Sequence, residues 1–393
     1  MTARVRRARY LFLTFTDTPT LDLAAFLRGD VRLGVAPQAV ALSVLRGAAY
    51  PLHDADLELL ASVDGTSWTD GGSFDEARVT ELVGRGLLVS DADDGEAAEL
   101  RQREEAIAAA NWHPYALLLH TLTRWRGVGK DAVQLDSGIL DATLAAFVEH
   151  HGAPPTALNQ RPGARIELPL DDGSPFTELL ARRRTIRVFD RDRAIVLPEL
   201  AALLRWTFGA HGYARGGAAF VGVAKTSPSA GGLHPVEAYP VLVRVDGAEP
   251  GLYHYDVGRH ALTELRRLDV ADAEDLAVRS GAGQPWLRDA AAVVLLTARF
   301  ERTFWKYRNN DRAFIAVLMD AAHLSQTFQL LATERGIGAM VTAAVNAAEV
   351  DEELGVDGYA EGALALLACG PAAAGPSPLQ PEFSPYVPRE TEL

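Results

Sequence analysis

Residues 226–239 read Thr226-Ser227-Pro228-Ser229-Ala230-Gly231-Gly232-Leu233-His234-Pro235-Val236-Glu237-Ala238-Tyr239, and the rest of the chain is organised around them. Hydroxyl residues, a proline, a small residue and two adjacent glycines make a poor helix or strand interior, but they suit a loop whose backbone must approach a flat ligand closely. An ordinary glycine turn entering a strand over Ala238–Val245 would use the same residues. Downstream, the run Pro240–Val245 reads as a strand, Gly247 closes a turn, and Pro250-Gly251-Leu252-Tyr253-His254-Tyr255-Asp256 leads into a second short strand. The loop therefore feeds a β-meander.

The pattern Thr226-x-Pro228-Ser229-Ala230-Gly231-Gly232-Leu233-x-Pro235-x-Glu237-x-Tyr239, followed by Pro250 to Asp256, resembles the SagB/McbC-type FMN-dependent dehydrogenases of the nitroreductase superfamily. These enzymes oxidise thiazoline and oxazoline rings in ribosomally made peptides. The similarity runs from about Thr177 to about Pro371. It implies an α+β, nitroreductase-like fold with FMN as cofactor, and it makes Pro228, Ser229, Ala230, Gly231 and Gly232 candidate cofactor residues.

A helix that opens at Pro175 ends in several arginines, which would by itself complement the helix dipole. The stretch Arg183-Arg184-Thr185-Ile186-Arg187-Val188-Phe189 is, however, similar to the family's grip on the flavin phosphate and ribityl chain. The resemblance implies Arg183, Arg184, Thr185 and Arg187 as anchors, Arg183 and Arg187 foremost. Forked guanidinium donors match phosphate oxygens, at about 1.5–3 kcal/mol per charge-assisted bond. Gly336 to Ala344 looks like the stretch that lies against the isoalloxazine edge, which adds Thr342, Ala343 and Ala344. After Gly370 many relatives place an Arg or Lys near the phosphate. Only Pro, Ala, Gly and Ser follow here, so a thinner clamp is expected.

Lys306-Tyr307 matches a Lys-Tyr motif that, by resemblance, provides the catalytic base over the flavin. The alternative is a plain exposed lysine, and the spacing to Arg312 is two residues longer than the family's. Leu197 to Gly209 reads as an amphipathic helix ended by glycine. The longest helix is expected over Asp311–Arg335, capped by Asn310 or Asp311 and stopped by Gly336, with Phe314, Val317, Leu318, Ala321, Leu324, Phe328 and Leu331 on one stripe. By resemblance it lies in the interface of a homodimer. His323 within it reads as a packing histidine.

The length of 393 residues allows two or three domains, and 48% hydrophobic content supports a sizeable core. A net charge of −14 argues against nucleic-acid binding. Arg4, Arg6, Arg7 and Arg9 form a basic cluster before Tyr10–Phe15, but that apolar run is too short for a signal peptide and reads as a first strand. The apolar stretch Ala290–Ala298 is far short of a membrane span. The single cysteine, Cys369, allows no internal disulfide and no cysteine-based zinc site, which fits a reducing cytoplasm.

Three regions are expected. Residues 1–95 alternate strand-like and helix-like pieces (Tyr10–Phe15, Ala39–Arg46, a helix from about Asp54), and a helix there stops at Gly84–Gly86 and passes into a strand, which resembles a winged helix-turn-helix. The acidic run Asp91–Glu96 argues against phosphate there. In peptide-modifying enzymes such a domain serves leader-peptide recognition by strand addition; a degenerate domain that only packs is the alternative. Residues 96–165 are a helical connector, including Leu140–Val148, and a linker rich in Pro and Gly from Gly152 to Gly163; residues 166–393 are the catalytic domain. His113 and His120 have no carboxylate or thiol at ligand spacing, so they read as packing residues and no metal is expected.

The leading reading is an azoline dehydrogenase acting on a precursor peptide alongside a cyclodehydratase. A free-standing nitroreductase using NAD(P)H and a non-catalytic peptide-binding partner are the alternatives. The amino-terminal third speaks against the first of these, and Lys306 with the arginine stretch against the second.

Overall fold

The computed structural model describes residues 3–21, 27–30, 33–93, 95–129, 148–149, 152–153, 155–158, 161–170, 173–216 and 220–375. Most of the expected helical stretch Leu140–Val148, part of the linker and the proline-rich end beyond residue 375 lie outside them. The chain divides into two compact units, Met1–Arg124 with Phe300–Phe314, and Trp125–Arg299 with Ile315–Leu393.

The first unit runs β1 (Arg4–Arg7), β2 (Leu11–Leu21), β3 (Leu33–Ser43), β4 (Ala48–Pro51), α1 (Asp54–Ser62), β5 (Thr69–Asp70), α2 (Glu76–Gly84), β6 (Leu88–Ser90), α3 (Gly95–Ala109) and α4 (Pro114–Thr123). β1 is the middle of a three-stranded sheet, β5-β1-β6. α2 is capped by the Asp75 side chain, which accepts from the Arg78 N–H at 2.8 Å. Two residues beyond its end stands Gly86, whose φ of 64°, with an added Cβ only 2.9 Å from Ser43 Oγ and 3.1 Å from Leu45 Cβ, disfavours any larger residue. The expected passage from helix to strand at Gly84–Gly86 is observed.

β2 and β3 form a long hairpin, in register from Leu11↔Ser43 to Leu21↔Leu33. The stretch Tyr10–Phe15, expected as the first strand, lies in the second, because Arg4–Arg7 of the basic cluster already pair as β1. It also runs past Phe15, and β3 begins before the expected Ala39, because cross-strand pairing extends an element beyond its apolar segment. β4 pairs only with Val40–Ser43. Ala39 and Ala41 pack with Leu59, Leu60 and Leu82. Much of the basic cluster is paired internally: Arg4 with Asp91 at 2.7 Å, and Arg6 with the fully buried Glu104, which Arg9 approaches at 3.8 Å. His120 is buried in an aromatic cluster, its ring 5.0 Å from Trp112 and 4.9 Å from Phe300, as a packing histidine should be.

The second unit contains α5 (Pro175–Arg182), β7 (Ile195–Val196), α6 (Leu197–Phe208), β8 (Gly212–Gly216), β9 (Phe220–Ala224), β10 (Val236–Leu242), β11 (Val245–Asp246), β12 (Gly251–Asp256), β13 (Ala261–Arg267), α7 (Val270–Ser280) and β14 (Ala292–Arg299). α8 (Phe300–Lys306) belongs to the first unit; α9 (Ala313–Glu334), β15 (Gly338–Thr342), α10 (Ala347–Leu354) and β16 (Glu361–Gly370) follow. Six strands make an antiparallel sheet in the order β13-β12-β10-β14-β16-β15. The expected meander is β10-β12-β13. Leu200, Leu203 and Phe208 of α6 and Phe328 and Ala332 of α9 pack on one face of the sheet, while Ala273 and Leu276 of α7 and Val350 of α10 pack on the other.

β14 and β16 lie inside the sheet and carry near-continuous apolar runs, since both their faces are covered. Cys369 of β16 is fully buried, and burial pushes its thiol up to about 12. α9 is by length and hydropathy capable of crossing a membrane, but Val317, Ala321, Leu324, Phe328 and Ala332 face protein.

Candidate functional site

The central loop is held by side-chain bonds to α9. Ser229 Oγ donates to Asp320 Oδ2 at 2.5 Å and accepts from the His234 N–H at 2.8 Å. The Ala230 N–H donates to Asp320 Oδ1 at 3.1 Å. Ser227 Oγ lies 2.7 Å from Thr327 Oγ1, and His323 Nδ1 lies 3.3 Å from the Pro228 carbonyl oxygen. At the loop's start Thr226 Oγ1 donates to the Trp206 carbonyl of α6 at 2.6 Å. Asp320 is only 4% exposed. Burial pushes its carboxyl above its ordinary value, and the bonds from Ser229 and Ala230 offset part of that.

Between these latches the backbone turns left-handed at Gly231 (φ 62°) and Gly232 (φ 66°), and again at His234 (φ 47°). Side chains at the two glycine positions would cost about 1–2 kcal/mol each. No heavy atom lies within 4 Å of a Cβ added at Gly232, so a ligand can approach the backbone there.

The arginine stretch lies along the open edge of β15. The Ile186 N–H donates to the Ala339 carbonyl at 2.9 Å, and Gly338 permits the approach, because an added Cβ would stand 2.8 Å from Ile186 Cγ2. Arg183 donates to Gln329 Oε1 of α9 at 3.3 Å. Arg184 is exposed and Arg187 half-buried, and neither has a hydrogen bond or ion pair among the described residues. Thr185 is half-buried beside them. At the end of β15, Thr342 Oγ1 accepts from Gln284 Nε2 and from the Ala344 N–H, both at 3.1 Å, which folds Ala343 and Ala344 into a turn.

Both sets hang on α9, but at different phases. Asp320 and Gln329 are nine residues apart, so at 1.5 Å and 100° per residue they lie roughly 13 Å apart along the axis and about 180° round it. The loop and Arg183 therefore occupy opposite sides of the helix. The first two turns of the helix also carry an exposed apolar stripe of Ile315 (42%), Leu318 (42%) and Met319 (54%).

Lys306 and Tyr307 belong to the first unit. Phe300 and Phe304 of α8 pack on Trp112 at ring distances of 4.8 and 4.7 Å, which fixes the helix that ends at Lys306. Lys306 Nζ lies 5.5 Å from the Tyr307 ring centre, the side chain is exposed, and it makes no hydrogen bond or ion pair among the described residues. No group of three or more His, Cys, Asp or Glu able to hold a metal occurs among the described residues.

Sequence reasoning missed Asp320, Thr327 and Gln329. A signal for the first was present, since Asp320 is the one charged residue between Ala313 and Ala332. A lone carboxylate in an apolar run needs a partner. A second polar group also escaped: His254 Nε2 lies 3.4 Å from Glu237 Oε2, and Arg299 donates to Glu237 Oε1 at 3.4 Å.

The nitroreductase family model matches residues 180–370. "Putative nitroreductase MJ1384" of Methanocaldococcus jannaschii is 32% identical over 196 residues, which cover 49% of this chain and 91% of that one. The trifolitoxin-processing protein TfxB of Rhizobium leguminosarum bv. trifolii is 28% identical over 153 residues, or 36% of this chain and 38% of that one. Among solved structures, a chain of the E. coli microcin synthetase McbBCD complex with truncated pro-MccB17 bound superposes with a TM-score of 0.50 at 18% identity. It covers 69% of this chain and 97% of that one, and the likeness is one of fold.

Proposed function

The chain belongs to the nitroreductase family, a family of oxidoreductases, and from that premise we propose that it is an FMN-dependent dehydrogenase of peptide maturation that oxidises thiazoline or oxazoline rings to thiazole or oxazole. One observation carries the cofactor assignment: Arg184, next in the chain to Arg183, and Arg187, both unpaired among the described residues, flank the backbone bond by which Ile186 joins the edge of β15. Guanidinium groups in a protein remain charged, so such a set suits a phosphate. The left-handed glycine pair suits a flat ring system, and together these features fit FMN.

In this reading Arg183, Arg184, Thr185 and Arg187 hold the phosphate and ribityl chain. Pro228 to Gly232 cradle the cofactor, and the turn Thr342–Ala344 borders it. When bound, FMN supplies the hydride acceptor, returned to its oxidised form by molecular oxygen. Lys306 or Tyr307 takes the ring proton, so that the substrate loses a proton and a hydride in a two-electron oxidation.

The phase difference on α9 supports a homodimer. The loop of one copy completes the arginine set of the other, and the stripe Ile315, Leu318 and Met319 is covered in the process. The first unit docks the precursor's leader peptide. β3 is bonded along its length to β2, but on its other side β4 covers only Val40–Ser43, so residues 33–38 offer a backbone edge for strand addition. A cyclodehydratase supplies the rings, and the site of action is the reducing cytoplasm.

The identity to the nitroreductase of M. jannaschii favours a second reading, a nitroreductase driven by NAD(P)H. Anaerobic stopped-flow separates the two. An azoline-containing peptide bleaches the flavin absorbance and yields the azole, whereas rapid bleaching by NAD(P)H with no response to the peptide establishes the second reading. A colourless protein that takes up no FMN on titration overturns both.

A further inference from the structure

At the edge of the sheet opposite the arginine set, the second unit holds a cavity of about 370 Å³ that the proposed chemistry does not use. Leu197, Ala201 and Leu204 of α6 form its roof, Tyr253 and Tyr255 of β12 its floor, and Leu262 of β13 a side wall. β13 and β15 are the two outermost of six strands, so five steps of about 4.8 Å put roughly 24 Å between this cavity and the edge that carries Ile186. It is a separate site. Its volume lies within the range of about 300–1,000 Å³ typical of small-molecule pockets.

The polar groups of the wall are engaged within the wall. The Tyr253 hydroxyl donates to the Glu249 carbonyl at 2.9 Å, and the Tyr255 hydroxyl lies 2.8 Å from His260 Nδ1. Arg267, at the mouth, is paired with Glu264 at 2.7 Å. At the rim the exposed carboxylate of Glu249 adds a second negative charge beside Arg267, which is already paired with Glu264, and disfavours anions. An occupant thus meets methyl groups and the faces of phenol rings, and finds no donor set for a carboxylate or phosphate. Burying a charge there would go uncompensated.

We propose that this cavity is a second ligand site, for a neutral, ring-containing apolar small molecule stacked between Tyr253 or Tyr255 and the leucines of α6. Aromatic faces prefer offset or edge contact with another ring, which favours a ring over a flexible chain.

The test uses the whole protein and the neutral dye N-phenyl-1-naphthylamine, whose emission rises in apolar surroundings. Saturable binding of one dye per chain is expected, weakened at least tenfold by Ala201→Trp, which fills the cavity, and by Leu262→Gln, which places an amide on its wall. Phe15→Ala, which removes an exposed ring of the first unit, should leave the affinity unchanged. Circular dichroism establishes that the variants fold; should Ala201→Trp fail to fold, Leu262→Gln decides. Three results each overturn the proposal: no saturable binding, wild-type affinity in the folded cavity variants, or equal affinity for the anionic dye 8-anilinonaphthalene-1-sulfonate.

Discussion

Ser229 bridges Asp320 and its own loop: its hydroxyl donates to Asp320 Oδ2 at 2.5 Å while accepting from the His234 N–H at 2.8 Å. One buried carboxylate, through a hydroxyl and the Ala230 N–H, thereby fixes the entry and the exit of a turn that contains three left-handed residues.

Asp320→Ala should therefore release the loop. Hydrogen bonds to a charged acceptor contribute about 1.5–3 kcal/mol each, so FMN affinity in a fluorescence-quenching titration is expected to fall at least tenfold. Asp320→Asn keeps an acceptor for Ala230 and can donate to Ser229, and should retain most of the affinity. Equal affinity in Asp320→Ala and wild type would show that the latch is irrelevant to the cofactor.

Lys306→Ala and Tyr307→Phe are expected to retain stoichiometric FMN and to slow flavin reduction by an azoline peptide by about a hundredfold or more, the usual scale of general-base help. Reduction by dithionite should be unaffected. Wild-type reduction rates in both variants would place the base elsewhere, with His234 the next residue to test.

Met319→Glu puts a carboxylate on the most exposed residue of the apolar stripe of α9. Light scattering should then show a monomer, and FMN should be lost with the dimer if, as proposed, each pocket is completed by the second copy. A monomeric variant that keeps its flavin would mean that one chain completes the site alone.

His254 should titrate above the ordinary histidine value of 6.5, because its hydrogen bond to Glu237 favours the imidazolium more than its burial disfavours it. Glu237, despite burial, is held below its ordinary value by His254, Lys225 and Arg299. The sign follows: the stabilising effect of the protonated histidine is fully present below about pH 6.5 and is lost as pH rises through the elevated folded value. A fall in melting temperature over that window, absent in His254→Gln, and an NMR titration midpoint above 6.5 are the expected results. A midpoint at or below 6.5 would contradict them.

Local chemistry made several elements readable in advance. The helix ended by Gly209, the strand around Ala290–Ala298 and the helix-to-strand passage at Gly84–Gly86 follow from apolar period and glycine placement, and all three are observed. Contacts between distant residues were not readable. Ser229 and Asp320 are 91 residues apart, and no periodicity links them. The opposition of Asp320 and Gln329 follows from counting along α9, but only once each has a known partner. The cavity under α6 is assembled from three separate elements, none of which signals a void by itself.

The interior position of Cys369 has a kinetic meaning. As the chain's only thiol, in a strand flanked on both sides by β14 and β15, it reacts with a disulfide reagent only when the sheet parts. Its modification rate is thus a single-site clock for opening of the second unit, and ligands at either edge of the sheet should slow that clock in proportion to how tightly they bind the closed form.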